Sequence, residues 1–403
     1  MKKSVDEQLA ILMRGVDYGD ELLKERMGEE LRDRLASGRP LKVYCGYDPT
    51  APDIHLGHTV TMRKLRQFQD FGHEVTFLIG NFTGLVGDPS DKDSARPQQT
   101  LDQVAEFART YADQAFKILD KDRTQVRYNA DWLQKLTFEE VIKLAANFTV
   151  QQFLSRDNFR KRWDDGDPVW MHEFFYSLMQ GYDAVVLEAD VQLGATEQLF
   201  NLMAGRKLQE SFGQKPQVCL TVPILVGTDG HMRMSKSTGN YIGVDEPPEE
   251  QYGKAMSLPD EAMPNYFDLV TRWSLDEIAK VKSDLEKGAI HPMEAKHKLA
   301  WEIVDIFHGK GGADQGEAHF RRVHQKGDLP KDIPTFQIDE PVGLLDLMVN
   351  AGLTPSKSEG RRLIQQGGVQ IDGRRIEDQK EVVSPDAEAI LQVGKRKFLH
   401  LNG

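Results

Sequence analysis

The stretch LKVYCGYDPTAPDIHLGHTVTMRKLRQFQDFGHEVTFLIG, residues 41–80, decides the fold. It opens on a short β-rich run, 41–47, that ends in the turn residues 48–53. A helical pattern follows over 57–71, with Val60, Leu65, Phe68 and Phe71 at three-to-five spacing. Gly72 closes it in the manner of a helix C-terminus, and HEVTFLIG (73–80) is a second buried-strand pattern. Working outward, residues 101–120 alternate in helical fashion and TQVRYN (124–129) reads as a strand. DAVVLEA (183–189) and PQVCLTVPIL (216–225) are apolar runs flanking a helical stretch. Strands alternating with helices predict an α/β fold, a parallel sheet covered by helices. Ligands of such sheets sit beyond the carboxyl ends of the strands, where 48–58 lies. From Glu246 to Arg322 the pattern is helical and charged, 325–334 reads as a linker, and the last sixty or so residues form a small module.

The 403 residues suit two or three domains, and 28% charged residues are ordinary for a globular protein. No apolar run approaches a membrane span. Asp6 and Glu7 stand where a secretory leader needs its apolar stretch. The only two cysteines, Cys45 and Cys219, exclude a disulfide framework and fit a reducing cytoplasm. The net charge is −12; the tail from Pro341 to Gly403 has nine Lys and Arg against eight Asp and Glu, so the rest carries −13. The acidic body repels nucleic acid broadly, and any such partner needs local basic patches.

His55 and His58, with Gly57 between them, open the helix of 57–71. Helix starts expose N–H groups and favour anions. A metal site needs a third ligand, and a solvated pair of histidines is the plain alternative; on this stretch alone the readings stand level. HMRMSKSTGN (231–240) tips the balance. Its Arg233 and Lys236 lie among hydroxyl residues, and His-x-Gly-His early with Met-Ser-Lys-Ser late resembles the signature pair of class I aminoacyl-tRNA synthetases. The common Gly-x4-Gly-Lys-Ser/Thr route to ATP is absent. Tyr44-Cys45-Gly46-Tyr47-Asp48-Pro49-Thr50, Gly84-Leu85-Val86-Gly87-Asp88-Pro89-Ser90 and Tyr176 to Asp183 resemble the tyrosyl-tRNA synthetases of bacteria, and the likeness extends over nearly the whole chain.

The residues support the resemblance. Tyr176, Gln180 and Asp183 stand at i, i+4 and i+7 on one helix face in an otherwise apolar segment, which points to a polar pocket rather than ordinary core. The resemblance implies that Asp183 and Tyr44 bind a substrate phenol, that Tyr176, Gln180 and Asp88 bind its α-ammonium, that Gln192 lines the pocket and that Gln198 meets the activated carbonyl. It implies an ATP site of Cys45, Gly46, Asp48, Thr50, Gly57, Thr61, Gly194, Glu197, Met234, Ser235 and Ser237. His55, His58, Lys92, Arg96, Arg233 and Lys236 are expected to supply charge to the transferring phosphates. Mg²⁺ is expected to arrive with ATP and to have no dedicated protein ligands. Two places depart from the family pattern: Gly194-Ala195-Thr196-Glu197-Gln198 stands where Gly-Gly-x-Asp-Gln is common, and Arg233 replaces a lysine.

The implied organisation is a Rossmann-like catalytic domain over 1–242, a helical anticodon-side domain over 243–335 and an RNA-binding module over 336–403. In that module Lys357, Arg361 and Arg362 fall on a short helix, Arg374 and Arg375 follow a hairpin turn at Asp372-Gly373, and Lys395 lies on a later strand. Such groups suit phosphate contacts that position RNA, so the expected partners are tRNA(Tyr), L-tyrosine and a second copy of the chain. A tryptophan-charging relative has no phenol to satisfy. A small-molecule adenylyltransferase needs no RNA module, and an inactive RNA-binding regulator needs no intact Lys236, His58 and Asp183.

Overall fold

The structure is a computed structural model that describes residues 3–49, 53–90, 100–236, 238–324, 333–338, 340–376, 378–384, 389–394 and 397–402. It divides into two compact units, Met1–Glu317 and Ala318–Gly403. The first begins with two helices, α1 (Val5–Met13) and α2 (Glu21–Ala36). Then come β1 (Lys42–Tyr47), α3 (Leu56–Asp70) and β2 (Glu74–Ile79), the strand–helix–strand unit expected from 41–80. Val60, Leu65 and Phe68 form the buried stripe of α3. Each such side chain contributes about 1.5–3 kcal/mol on burial. Gly72 follows at φ 90°, a left-handed turn that glycine takes without strain.

Next come α4 (Leu101–Ala115), β3 (Thr124–Tyr128), α5 (Met171–Val186), β4 (Val191–Ala195), α6 (Leu199–Ser211) and β5 (Val218–Val222). The five strands are parallel in the order β3-β2-β1-β4-β5. Central strands buried on both faces explain their near-continuous apolar runs. The order reverses between β1 and β4, and the crevice outside their carboxyl ends is where such sheets bind ligands.

One expectation shifts. Of the apolar run 183–189 the first four residues are the end of α5 and the rest is turn, not strand; the strand starts at Val191, in β4. A short continuous apolar run reads alike as buried helix or buried strand. Glu188, at φ 47°, makes the turn between the two.

The helical region holds α7 (Pro248–Met256), α8 (Met263–Leu269), α9 (Leu275–Glu286) and α10 (Pro292–His324), the last broken at Gly309 (φ 69°). Its helices up to residue 317 belong to the same compact unit as the sheet. The Tyr266 hydroxyl donates to the Val226 carbonyl at 2.7 Å, and Arg14 Nη1 to the Trp273 carbonyl at 2.8 Å. Most of the linker expected over 325–334 lies outside the described residues.

The second unit carries a five-stranded sheet in the order β6-β12-β11-β8-β9: β6 (Thr335–Gln337), β8 (Val369–Ile371), β9 (Arg374–Arg375), β11 (Ala389–Val393) and β12 (Lys397–Asn402). A small pair joins β7 (Val342–Gly343) to β10 (Val382–Val383). Two helices, α11 (Leu344–Asn350) and α12 (Lys357–Gln365), pack on a core that includes Leu347, Met348, Ile364, Leu391 and Leu401. Asp372 and Gly373, at φ 48° and 78°, make the expected two-residue hairpin between β8 and β9. Among the described residues no helix is long and apolar enough to cross a membrane.

Candidate active site

A cleft opens at the carboxyl ends of β1, β4 and β5. Its wall carries Cys45, Gly46, Asp48, His55, Gly57, His58, Thr61, Asp88, Tyr176, Glu197, Gln198, Arg233 and Met234. Tyr44, Asp183 and Gln192 are buried and do not reach that open wall, and the half-buried Gln180 is not part of it either. A hydrogen-bond chain joins the two layers. The Tyr176 hydroxyl donates to Asp48 Oδ2 at 2.8 Å, Thr83 Oγ1 donates to Asp48 Oδ1 at 2.7 Å, and Asn129 Nδ2 reaches Thr83 Oγ1 at 3.0 Å and Asp183 Oδ2 at 3.3 Å. Trp132 Nε1 donates to Asp183 Oδ1 at 2.8 Å.

Burial pushes the Asp183 carboxyl up to about 8, against the pull of the Trp132 and Asn129 hydrogen bonds, and the charge of Asp48 pushes it the same way. Tyr44 and Gln192 are register partners on adjacent parallel strands, so they share a face of the sheet. Among the described residues the buried Gln192 Nε2 and Gln180 Oε1 have no hydrogen-bond partner, and the Tyr44 hydroxyl, with Gln217 beside it, makes no bond of full geometry. Unpaired buried polar atoms are rare in native proteins, and Tyr44 and Gln192 bring two of them to neighbouring places on one face of the sheet.

Asp88, at the inner wall, accepts from Gln198 Nε2 (3.1 Å), Asn201 Nδ2 (3.3 Å) and the Ser90 N–H (2.9 Å). Arg156 is buried behind it, donating to Ser90 Oγ at 2.7 Å and to Ser177 Oγ and Asn201 Oδ1. Sequence reasoning missed Thr83, Asn129, Trp132, Arg156 and Asn201. A signal for the first three existed: they stand just after β2 and β3, at the sheet end that binds ligands.

On the other side, His55 is the N-cap of α3. The Gly57 N–H donates to His55 Nδ1 and the His55 N–H to His58 Nδ1, both at 3.2 Å. Each ring therefore carries its proton on Nε2, with Nε2–H left as a donor. Burial, then the neighbouring cationic groups, holds His58 down to about 4 and His55 lower still. The two histidines are neutral donors at pH 7. This corrects the expectation that they supply charge; burial makes the charged form too costly. A Cβ on Gly57 would lie 3.0 Å from the His55 ring, and one on Gly194 would lie 2.9 Å from Leu202. Thr61 Oγ1 shares a hydrogen bond with the Tyr47 hydroxyl at 2.8 Å. The Cys45 thiol is buried and pushed up to about 11, which leaves it inert.

The late loop closes the cleft. Arg233 Nη1 meets Glu197 Oε1 at 3.2 Å, and Lys236 Nζ donates to the Asp53 carbonyl. Asn240, another residue missed from sequence, ties the loop together: its amide takes the Ser235 N–H at 2.8 Å and gives to the Arg233 carbonyl at 3.0 Å. Thr50, Lys92, Arg96 and Ser237 lie outside the described residues. Among the described residues, no group of three or more His, Cys, Asp or Glu is arranged to hold a metal.

Residues 36–325 match the family described as tRNA synthetases class I (W and Y), and residues 325–401 match the tyrosine–tRNA ligase SYY-like C-terminal domain. A tyrosine–tRNA ligase of Moorella thermoacetica is 52% identical over 403 residues, 100% of this chain and 97% of the relative. One from Thermotoga maritima is 48% identical over 398 residues, covering 99% and 98%. The chain belongs to the tyrosine–tRNA ligases of class I. In fold it is similar to a C-terminally truncated mitochondrial tyrosyl-tRNA synthetase of Aspergillus nidulans, with a TM-score of 0.63 at 24% identity over 80% of this chain and 94% of that one.

The ligase's second unit presents its expected basic residues at the surface. Lys357, Arg361 and Arg362 are exposed on α12, and Arg374 and Arg375 on β9; Lys395 lies outside the described residues. Lys357 pairs with Asp346, Arg362 with Glu359 and Arg374 with Glu381. Exposed pairs of this kind are worth about 0–1 kcal/mol, so a phosphate can displace the acid.

Proposed function

We propose that the cleft activates tyrosine with ATP and then charges tRNA(Tyr). The tyrosine carboxylate oxygen attacks the α-phosphorus in line, the bond to the bridging oxygen breaks, and pyrophosphate leaves. The terminal ribose hydroxyl of tRNA then attacks the tyrosyl carbonyl carbon and AMP leaves. The carboxylate is already ionised at pH 7, so the first step needs no general base. Catalysis lies in positioning and in donors aimed at the phosphates. One observation carries the reading: a buried carboxyl among unpaired polar groups is joined by one hydrogen-bond chain to a cleft that also holds a helix start with two neutral histidine donors.

The phenol is assigned to Asp183 and Tyr44, with Gln192 lining the pocket. The α-ammonium goes to Asp88, Tyr176 and Gln180, and the carboxylate end to Gln198. His55, His58, Arg233 and Lys236 face the phosphates, joined by Lys92 and Arg96. The ATP site includes Cys45, Gly46, Asp48, Gly57, Thr61, Gly194, Glu197, Met234 and Ser235, with Thr50 and Ser237. Mg²⁺ is assigned to the nucleotide, where it neutralises part of the triphosphate charge. The basic groups of the second unit are assigned to tRNA backbone phosphates. A homodimer is supported by exposed apolar side chains concentrated in one segment: Phe138 (80% exposed), Ile142, Trp163, Trp170 and Met171. A cytoplasmic location is supported by two free, buried thiols.

The deciding assay is amino-acid-dependent exchange of labelled pyrophosphate into ATP. Exchange with tyrosine is expected; exchange with tryptophan instead, or none, overturns the reading. His58→Ala is expected to lower the exchange kcat by about 10²–10³, with a much smaller change in KM for ATP, because a donor aimed at developing charge acts mainly in the transition state. The rate should show no histidine limb between pH 6 and 7. The native ring titrates near 4, below its unfolded value of 6.5. The stability it contributes is therefore complete above 6.5 and is lost as pH falls toward 4. Thermal melts of wild type and variant at pH 7.5 and 4.5 check this, since the variant lacks that loss.

A further inference from the structure

Arg156 is only 8% exposed, yet its hydrogen bonds go to neutral groups. It stands immediately before the helix Asp157–Asp165, and its guanidinium carbon lies 5.1 Å from the Phe159 ring and 4.9 Å from the Phe200 ring. Nη2 donates to Ser90 Oγ at 2.7 Å. Nη1 donates to Ser177 Oγ on α5 at 3.2 Å and to Asn201 Oδ1 on α6 at 3.3 Å. Burial works against the guanidinium charge, and Asp88 is the foremost charge that favours it. A cation buried without an acid in contact is costly, so its neighbours decide what it does there. The Ser177 hydroxyl also donates to Asn201 Oδ1, at 2.7 Å. With two donors on that oxygen, Asn201 Nδ2 must face the other way, where it meets Asp88 Oδ1 at 3.3 Å and Ser90 Oγ at 3.4 Å. The Ser90 N–H gives to the same carboxylate oxygen at 2.9 Å, and Gln198 Nε2 to the other at 3.1 Å. A carboxylate offers about four lone-pair sites, so Asp88 keeps capacity for a donor arriving from the cleft it lines.

We propose that Arg156 is a positioning residue for Asp88: acting through Ser90 and Asn201, it aims the carboxylate that receives the α-ammonium of tyrosine. This rests on the assignment of that ammonium to Asp88. A guanidinium set directly on Asp88 would occupy the oxygens that the ammonium needs. Set one layer back, it fixes their direction and leaves them open. Without it Ser90 Oγ loses a donor and Asn201 Oδ1 loses one of two, so both supports of Asp88 loosen. The phenol and the phosphates are held by other residues, so the loss falls on the ammonium alone. Arg156 thereby tunes how strongly the cleft demands an amino acid rather than any phenol that carries an acid.

Arg156→Met and Arg156→Lys in the full chain test this, with two competitors of tyrosine in pyrophosphate exchange. Tyramine carries the phenol and the ammonium; 3-(4-hydroxyphenyl)propionate carries the phenol and the carboxylate. In Arg156→Met the inhibition constant of tyramine and KM for tyrosine are expected to rise about fivefold to thirtyfold, the loss of a hydrogen bond to a charged group. The inhibition constant of the propionate and KM for ATP are expected to stay within about twofold, the scatter of independent sites. Lysine keeps the charge but brings one nitrogen where the fork has two, so Arg156→Lys should show the same selective pattern at about twofold to fivefold. Equal rises for the two competitors mark a general structural role and overturn the proposal, and so does a tyramine constant unchanged in both variants. Thermal melts show whether each variant folds; if Arg156→Met does not, Arg156→Lys decides. A wild type that exchanges with tyrosine yet ignores tyramine is a different outcome: it removes the ammonium assignment itself, whereas equal rises in the variants remove only the role of Arg156.

Discussion

Asp183→Asn is expected to lower kcat/KM for tyrosine activation by about 10²-fold or more while the fold persists. Leaving the buried phenol without its partner costs about 1–3 kcal/mol whichever way the carboxyl is protonated, a factor of about 5–150. The asparagine amide makes matters worse, because both carboxylate oxygens already accept, from Trp132 Nε1 and Asn129 Nδ2. An amide offers only one oxygen there and turns its NH₂ toward a donor. Pyrophosphate exchange against tyrosine concentration measures the loss, and near-normal exchange would show that the phenol binds elsewhere. Discrimination should fall too: tyrosine enzymes reject phenylalanine by about 10⁵, a magnitude already known for these very enzymes and borrowed rather than obtained from this cleft.

The same substitution should change the pH dependence of stability. The native Asp183 carboxyl titrates near 8 because it is buried, against 3.8 for an ordinary aspartate. The folded chain therefore binds the proton more tightly than the unfolded chain across that window. Its contribution is fully present below about pH 4 and is lost as pH rises through 8. Asparagine has no proton to lose, so the variant should gain on wild type between pH 5 and 8.5. A difference in melting temperature that stays constant over that range would contradict the burial argument. On the proposed assignment, the phenol site is kept at the expense of stability at neutral pH, as is common where a fold keeps a buried acid for binding.

Residues 41–80 were legible because each local rule points the same way there. The turn residues, the helical stripe and Gly72 agree, and the sheet then places 48–58 at its ligand-binding end. The polar face of Tyr176, Gln180 and Asp183 was legible for a similar reason, since a polar stripe in apolar sequence has few uses. What stayed hidden depends on pairs brought together by the strand order. The Tyr176–Asp48 bond joins residues 128 positions apart, and Trp132 reaches Asp183 across 51. No spacing rule predicts such meetings. The charge state of the histidines was hidden too, because it depends on how deeply α3 buries its own first turn. Residues 183–189 were ambiguous for a third reason: apolar content reports burial, and burial is common to helix ends and central strands.

A chain ending at His324 is expected to activate tyrosine at close to the full-length rate and to lose tRNA charging by about 10³–10⁴-fold at 0.1 M salt. Every described residue of the proposed cleft lies within Met1–Glu317, a compact unit with its own core. Cutting after 324 keeps the whole of α10. The tail from Pro341 is +1 and residues 325–340 are −2, so of the total of −12 the shortened chain carries −11 and offers RNA a strongly acidic surface. If Lys357, Arg361, Arg362, Arg374 and Arg375 each neutralise one phosphate, the logarithm of affinity should fall with the logarithm of salt at a slope of about −4. Extrapolated from 1 M to 0.1 M salt, that slope accounts for a factor of about 10⁴. Asp346, Glu359 and Glu381 compete for three of these cations, which sets the lower end of the range. Arg361→Ala in the full chain should reduce the slope by about 1 and leave pyrophosphate exchange unchanged. A shortened chain that charges tRNA normally would place the RNA contacts on the first unit, and a salt slope near zero in the full chain would remove the phosphate role of the second.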